Sequence, residues 1–342
     1  VRVILGRFWG LAAMALQLVW FKRDLRVKDH QPLKQALLRG PVLPLYVVEP
    51  ELWQQQDASE RQWLFCRESL LDLRLALAEL GQPLLVRRGD VLDIFERAHR
   101  QFGLDGLWSH EETGNGWTYQ RDQRVALWCR QNDIAWKEIP QFGVIRRLRS
   151  RNRWAKRWEA QMAEPITPSP LGLPSIEGIE AGIIPDHPHQ EMASDPCPHR
   201  QSGGRSMALL ELDDFLEHRA SGYARSISSP NTAFTGCSRL SAYLTWGVSR
   251  CERSSKQAVA SVVVGLAVLS HACIGIATSS KSLKRSQRLS SKIFIPSCAG
   301  CAVRIMSDSL PGRTDALECL SWMPACAHCG PMVGSTSECE RC

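Results

Sequence analysis

Cysteine is scarce over most of the chain. Residues 1–250 hold four of the thirteen, Cys66, Cys129, Cys197 and Cys237. Four scattered thiols give no disulfide framework and suit a reducing compartment. Aromatics are scarce at the other end, where only Phe294 and Trp322 of 25 lie beyond residue 250. Clustered glycine is also missing. Gly10, Gly40, Gly81, Gly103 and Gly106 stand alone, so no G-x-G-x-x-G follows the first strand-like run. A dehydrogenase-type dinucleotide site therefore has no support. The opening VRVILGRFWGLAAM is short for a secretory leader and lacks a polar cleavage region. Residues 1–13 are expected to be an upstream extension ahead of Met14.

What is present suffices for a folded protein. The 342 residues are 44% apolar and 23% charged, enough for two domains and a sizeable core. The net charge of +7 is compatible with a nucleic-acid partner without demonstrating one. Short apolar runs at Leu16–Phe21, Val42–Val48, Pro83–Val86 and Gly106–Trp108 read as buried strands. Between them Arg61–Leu80 carries Leu64, Leu70, Leu71, Leu73, Leu77 and Leu80 as a broad apolar helical face, which Gly81 ends. Val91–Phe102 and Trp117–Arg130 predict two more helices. Strand–helix alternation with short turns predicts an α/β domain with a doubly wound parallel sheet over residues 14–145.

Residues 145–158, IRRLRSRNRWAKRW, place seven Arg or Lys around Trp154 and Trp158. Two readings stay open: a phosphate-tracking patch with stacking aromatics, or an exposed basic helix anchored by its tryptophans. Eight prolines between Pro165 and Pro198, then Gly203-Gly204, read as a linker. Helical spacing resumes over Met207–Arg219.

Two segments are specific. Val19–Asp29, VWFKRDLRVKD, sits on the end of the first strand; Gly222–Gly247 reads GYARSISSPNTAFTGCSRLSAYLTWG. Together they resemble the photolyase/cryptochrome family, whose pattern is W-F-(K/R)-x-D-L-R-x-x-D, a linker, then a helical flavin domain reaching T-S-x-L-S-x-Y-L-x-x-G. Residues 110–122, HEETGNGWTYQRD, and the basic segment look like that family too, so the resemblance covers residues 14–249. It implies an all-α FAD-binding domain starting at residue 206, with Tyr223, Cys237, Ser238, Arg239, Leu240 and Ser241 touching FAD. Short hydroxyl side chains and free backbone N–H groups ahead of a helix suit a diphosphate. Taken alone, the same segment is simply a capped helix. Cys237 departs from the family's usual Thr, which weakens one hydroxyl contact. Asp24 and Arg26 read as fold-closing charges rather than catalysts, and no catalytic residue is assigned. The resemblance also implies an antenna chromophore of folate or deazaflavin type, near residues 110–122 at the strand ends.

After Ser249 the resemblance stops. Residues 251–342 hold nine cysteines, six of them in Cys298/Cys301, Cys326/Cys329 and Cys339/Cys342 pairs with zinc-ligand spacing. Residues 258–277 form an apolar run of membrane-spanning length. A shifted reading frame accounts for both. Each hidden codon takes the third base of one visible codon and the first two of the next. Cys273–Lys281 then yields HWHCHFIQ, and Met323–Cys342 yields DACMRALRAHGWINFRMRAM. Both strings resemble the family's flavin domain, in the right order. Residues 250–342 are therefore expected to be an out-of-frame, disordered tail, with neither a metal site nor a membrane span.

The expected organisation is an extension (1–13), an antenna-type α/β domain (14–145), a basic helix and Pro-rich linker (146–205), the truncated start of the FAD-binding domain (206–249), and the tail (250–342). The resemblance implies a cytoplasmic, monomeric, light-dependent lyase that splits pyrimidine dimers in damaged DNA by electron transfer from reduced FAD. This chain, lacking the rest of the flavin cup, is expected to bind FAD weakly and to repair nothing. The alternatives are a cryptochrome-type blue-light photoreceptor, or an α/β module with a zinc-binding tail.

Overall fold

The computed structural model describes residues 16–141, 146, 150, 152–226 and 229–249. The expected extension and the out-of-frame tail, with its cysteine pairs and apolar run, lie outside the described residues.

Five parallel strands form the centre: β1 (Leu16–Phe21), β2 (Val42–Val48), β3 (Leu85–Arg88), β4 (Leu104–His110) and β5 (Ala135–Ile139), in the order β3-β2-β1-β4-β5. The first two match their predicted spans. β1 is central and covered on both faces, which is why LQLVWF is an unbroken buried run. Its one polar member, Gln17, is satisfied: it accepts from Trp108 Nε1 at 2.7 Å and donates to Asp105 at 3.1 Å. β5 went unread in the sequence because, as an edge strand, it is only partly covered and shows no apolar run.

The connections are α1 (Gln31–Leu37), α2 (Pro50–Trp53), α3 (Glu60–Glu79), α4 (Val91–Phe102) and α5 (Gly116–Gln131). Val19 and Phe21 face a core shared with α1 and α3, while Leu18 and Trp20 face a second core under α4 and α5. The sheet is thus wound on both sides, as the alternation required. Local signals set the helix ends. Asp90 caps α4 by accepting from Leu92 N–H at 2.8 Å, and Gly103 ends it at φ +67°.

A sixth helix, α6 (Trp154–Ala163), starts inside the basic segment. Trp154 and Trp158 are buried in the first core, while Lys156 and Arg157 are exposed. The anchored-helix reading holds for these two rings, which are not available for stacking on bases.

Residues 165–204 form a strap rather than a free tether. Thr167 exchanges two hydrogen bonds with Asp29, at 2.8 and 3.0 Å. Leu173 N–H donates to Leu80 at 2.6 Å, and Val86 N–H donates to Ala181 at 2.8 Å, which covers the open edge of β3. Asp186, Asp195 and Arg200 pair with Arg67, Arg61 and Glu68 of α3.

The chain then enters a helical segment: α7 (Arg205–Asp214), a π turn (Phe215–Arg219), a 3-10 turn (Ala220–Gly222), α8 (Tyr223–Ser226), α9 (Pro230–Gly236) and α10 (Ser241–Thr245). Asp72 of α3 accepts from Arg205 N–H at 2.8 Å and Ser206 Oγ at 2.9 Å, fixing the start of α7 on the α/β domain. Among the described residues no helix is long and apolar enough to cross a membrane.

Candidate functional site

Between β1 and β4 successive connections leave on opposite faces. In open parallel sheets the crevice beyond the strand ends at that switch is where ligands bind. The ends of β1, β2 and β4 deliver Lys22, Glu49 and Glu112 there, and α5 adds Arg121 and Asp122.

These residues fill the crevice themselves. Arg121 donates to Glu49 at 2.7 Å, to Asp122 at 2.8 Å and to Glu112, and its guanidinium lies 4.6 Å over Trp20. All four partners are buried. Burial pushes Glu49 up to about 7 against the pull of Arg121. For Glu112 burial is outweighed by Arg121, Lys22 and Arg23, which bring it to about 2. Lys22 Nζ is 4.6 Å from the same Trp20 ring and 3.5 Å from Asp122. A ring system between these groups would have to displace the charge cluster, whereas beside it Tyr119, Asp122, Trp136, Glu138 and Arg146 line a cavity of about 400 Å³.

The motif that follows β1 closes the fold. Arg26 is buried and donates to the Asp29 carbonyl at 3.1 and 3.0 Å and to the Gly247 carbonyl at 2.6 Å. Leu25 N–H donates to Trp246 O at 3.2 Å. The Asp-Leu-Arg run thereby holds the last turn of the helical segment against the sheet. A Cβ on Gly247, at φ +62°, would overlap the Arg23 carbonyl and come within 2.7 Å of Asp24 Cα.

Asp24, His30 and His110 bring three metal-ligand atoms within 4.8 Å of one another, all buried. Their hydrogen bonds argue against a metal. Leu33 N–H donates to His30 Nδ1 at 3.0 Å, so the ring proton sits on Nε2, which donates to Asp24 Oδ2 at 2.9 Å. His110 Nδ1 reaches the same oxygen at 2.7 Å, and Lys22 N–H serves the other at 2.7 Å. Burial depresses both imidazoles, which stay neutral. Burial alone would raise Asp24, but the two imidazoles hold it well below the usual carboxylate range.

The second candidate site is the loop between α9 and α10. Cys237 ends α9 in extended backbone, Arg239 adopts φ +54°, and Leu240 returns to right-handed geometry at φ −81°, ψ −9°. A left-handed residue followed by a right-handed one turns successive N–H groups toward one point, a nest that suits an anion. Among the described residues, the N–H groups of 238–241 make no hydrogen bond within the chain. Ser238 is buried to 8% exposure, and its hydroxyl has no partner among the described residues. Burial raises the Cys237 thiol, which stays neutral. Arg239 packs its guanidinium 4.5 Å over Phe234. Tyr223 is buried against Phe215, 5.4 Å between ring centroids. Residues 237–241 are thus one continuous loop, whereas Tyr223 sits at the start of α8 within the core.

The family model described as DNA photolyase matches residues 17–145. The chain belongs to the photolyase/cryptochrome family. The deoxyribodipyrimidine photo-lyase of Escherichia coli is 28% identical over 68% of this chain and 52% of its own length. That of Thermus thermophilus is 30% identical over 68% and 51%, and cryptochrome DASH of Gloeobacter violaceus 26% over 68% and 50%. The chain spans about half the length of these family relatives. Among solved structures, a class III photolyase from Agrobacterium tumefaciens shares the fold at TM-score 0.65 and 18% identity, over 84% of this chain and 62% of that one. An archaeal photolyase from Sulfolobus tokodaii, solved with two FAD molecules, gives TM-score 0.57 and 20% identity over 71% and 54%.

Sequence reasoning missed Glu49 and Arg121 as a buried centre. It also missed Arg219 and Gln201, which bind the 237–241 loop from 18 and 38 residues away. Only the Arg-x-x-x-Tyr spacing of Arg219 and Tyr223 lay within reach of a pattern, and that spacing alone indicates no more than one helical face.

Proposed function

We propose that residues 14–249 are the α/β domain and the first part of the flavin-binding domain of a photolyase-type flavoprotein. In that reading FAD, held by this segment, would supply the light-driven electron donation that splits pyrimidine dimers in damaged DNA, the electron returning to the flavin afterwards. The observation that carries it is the nest at Arg239–Ser241 with its unused N–H groups, standing inside GCSRLSAYLTWG, the segment that resembles the family's diphosphate loop. The residues present fit the diphosphate: N–H groups of 238–241 and the Ser238 hydroxyl donate to it, and the Cys237 thiol replaces a stronger hydroxyl donor. Bound FAD would supply the photochemistry. This chain's own residues orient its diphosphate.

A cryptochrome-type photoreceptor is the second reading. Cryptochrome DASH matches the chain over the same share of its length as the photo-lyases do.

Our reading keeps residues 250–342 as an out-of-frame tail, so the chain as it stands binds FAD weakly and does not repair DNA. It is taken to act as a cytoplasmic monomer. Resequencing the gene around codon 249 tests the frame. An open photolyase-like frame at the stated offset is expected, and its absence returns the zinc-tail alternative. The frame-restored protein, assayed for light-dependent removal of pyrimidine dimers, then separates the first two readings. Repair supports the lyase. Firm FAD binding without repair supports the photoreceptor.

A further inference from the structure

We infer that Arg219 and Gln201 are positioning residues that hold the 237–241 loop in its anion-binding shape, an inference that rests on the flavin reading above. Arg219 ends the π turn that follows α7. That turn carries one extra residue per hydrogen-bonded ring, as bulges near functional sites do. Its guanidinium donates to the Cys237 carbonyl at 2.6 Å, and its other arm meets Glu211 at 2.5 Å and Asp214 at 2.7 Å. Gln201, the last side chain of the strap before the Ser-Gly-Gly turn, donates to the Arg239 carbonyl at 2.7 Å. Leu240 O accepts from Leu244 N–H at 3.0 Å.

Three carbonyls of one short loop are therefore turned into the body of the protein, each toward a fixed donor. A peptide plane that turns its carbonyl inward turns its N–H outward. The N–H groups that follow these carbonyls, on Ser238, Leu240 and Ser241, are among those the chain leaves unused. The left-handed Arg239, at φ +54°, is in a strained geometry for a residue with a Cβ. It is held there by the Gln201 bond and by packing on Phe234. The positive charge of Arg219 is already matched by two carboxylates, so it acts on the loop through the Cys237 carbonyl rather than as a phosphate ligand.

A second consequence is that the strap belongs to the flavin cup. Gln201 comes from the segment that binds α3, so docking of the strap on the α/β domain sets the geometry of a loop in the helical segment.

The test is a titration of the full chain with FAD, followed by flavin fluorescence and competed with inorganic pyrophosphate, alongside thermal unfolding. The wild type is expected to bind weakly and pyrophosphate to compete. Gln201→Ala should weaken FAD about fivefold to tenfold, the worth of one partly buried hydrogen bond, with no matching loss of melting temperature. Arg219→Ala should weaken it at least as much, and Arg219→Lys should recover part, because one ammonium keeps the charge but not the fork. If the wild type binds FAD and both Gln201→Ala and Arg219→Ala bind it as tightly, the positioning role is wrong while the flavin reading stands. If the wild type binds neither FAD nor pyrophosphate, the flavin reading fails, and this inference with it.

Discussion

Trp53 and Trp246 lie face to face, their ring planes 6° apart and centroids 5.8 Å apart. Trp53 follows β2, and Trp246 closes the helical segment, so the stack joins the two parts of the chain. Trp53 also meets Trp63 edge-on at 5.0 Å, and Arg23 covers Trp246 at 5.4 Å. Truncating a buried Trp costs about 3–5 kcal/mol, and the half-buried Trp246 should cost about 2 on replacement by Ala. Trp246→Phe should recover most of it. Urea unfolding measures both variants. An Ala variant as stable as the wild type would mean that the stack does not hold the two parts together.

The Asp24–His30–His110 knot makes stability fall in acid. Both imidazoles are depressed below 6.5 in the folded state, so the unfolded chain takes up protons first as pH drops below that value. Asp24 adds a second loss further down, between its ordinary value near 3.8 and its lower folded value. The urea midpoint should therefore be flat above pH 7 with respect to these three groups and decline below pH 6.5. His110→Asn, which keeps a donor for Asp24 but cannot titrate, should reduce the slope between pH 6.5 and 5. An unchanged slope would place the acid sensitivity elsewhere.

Glu49 works in the opposite sense. Its folded value of about 7 lies above the ordinary 4.5, so the folded state holds a proton that the unfolded state releases between those values. That contribution is present below pH 4.5 and is lost as pH rises to 7. Comparing Glu49→Gln with the wild type isolates it. The variant's relative stability should rise between pH 4.5 and 7 and stay level above. A difference that does not change with pH would show that Glu49 titrates normally.

The doubly wound sheet was legible because its central strands are buried on both faces, and such strands show as unbroken runs like LQLVWF and VLPLYVV. The edge strand β5 and the short helix α1 were not, since neither carries a periodic apolar signal long enough to read. In the candidate site, residues 237–241 came from a motif. The shape that makes them a nest depends on Arg219, Gln201 and a left-handed Arg239, and no local pattern encodes those. The resemblance implies a chromophore near residues 110–122, but nothing in the sequence shows that a charge cluster occupies part of that crevice. Its filling depends on Glu49, Glu112 and Arg121 meeting across 72 positions of sequence. Long-range pairing of charges is invisible to composition and spacing.

That filled crevice carries its own prediction. Arg121→Leu would leave Glu49 without a cation, and Glu112 and Asp122 with only their longer pairs to Arg23, Lys22 and Arg146, and should cost about 3–5 kcal/mol, read from urea unfolding. Equilibrium dialysis of the wild type against methenyltetrahydrofolate or 8-hydroxy-deazaflavin should show no stoichiometric retention at the strand ends. Stoichiometric binding that Arg121→Leu or Glu112→Gln alters would show that the cluster opens for a ring system after all.

The strap offers the sharpest contrast between composition and structure. Eight prolines and a Gly-Gly pair suggest a free tether, and a tether would be cut rapidly by proteases. Its single tryptic site within residues 165–204 follows Arg200, whose guanidinium pairs with Glu68 at 2.9 and 2.5 Å. Glu68 also accepts from Gly203 N–H at 2.7 Å, so one carboxylate pins the chain on both sides of the scissile bond. Burial opposes ionisation of Glu68, but Arg200 and Gly203 outweigh it and hold its carboxyl below the ordinary value. Cleavage after Arg200 requires local opening, so its rate reports the free energy of that opening. Glu68→Ala removes a partly exposed pair worth about 1 kcal/mol and should speed cleavage at Arg200 about fivefold, while global unfolding changes little. Equal rates in the two proteins, both as fast as cleavage of an unfolded peptide, would return residues 165–204 to the tether that their composition suggests.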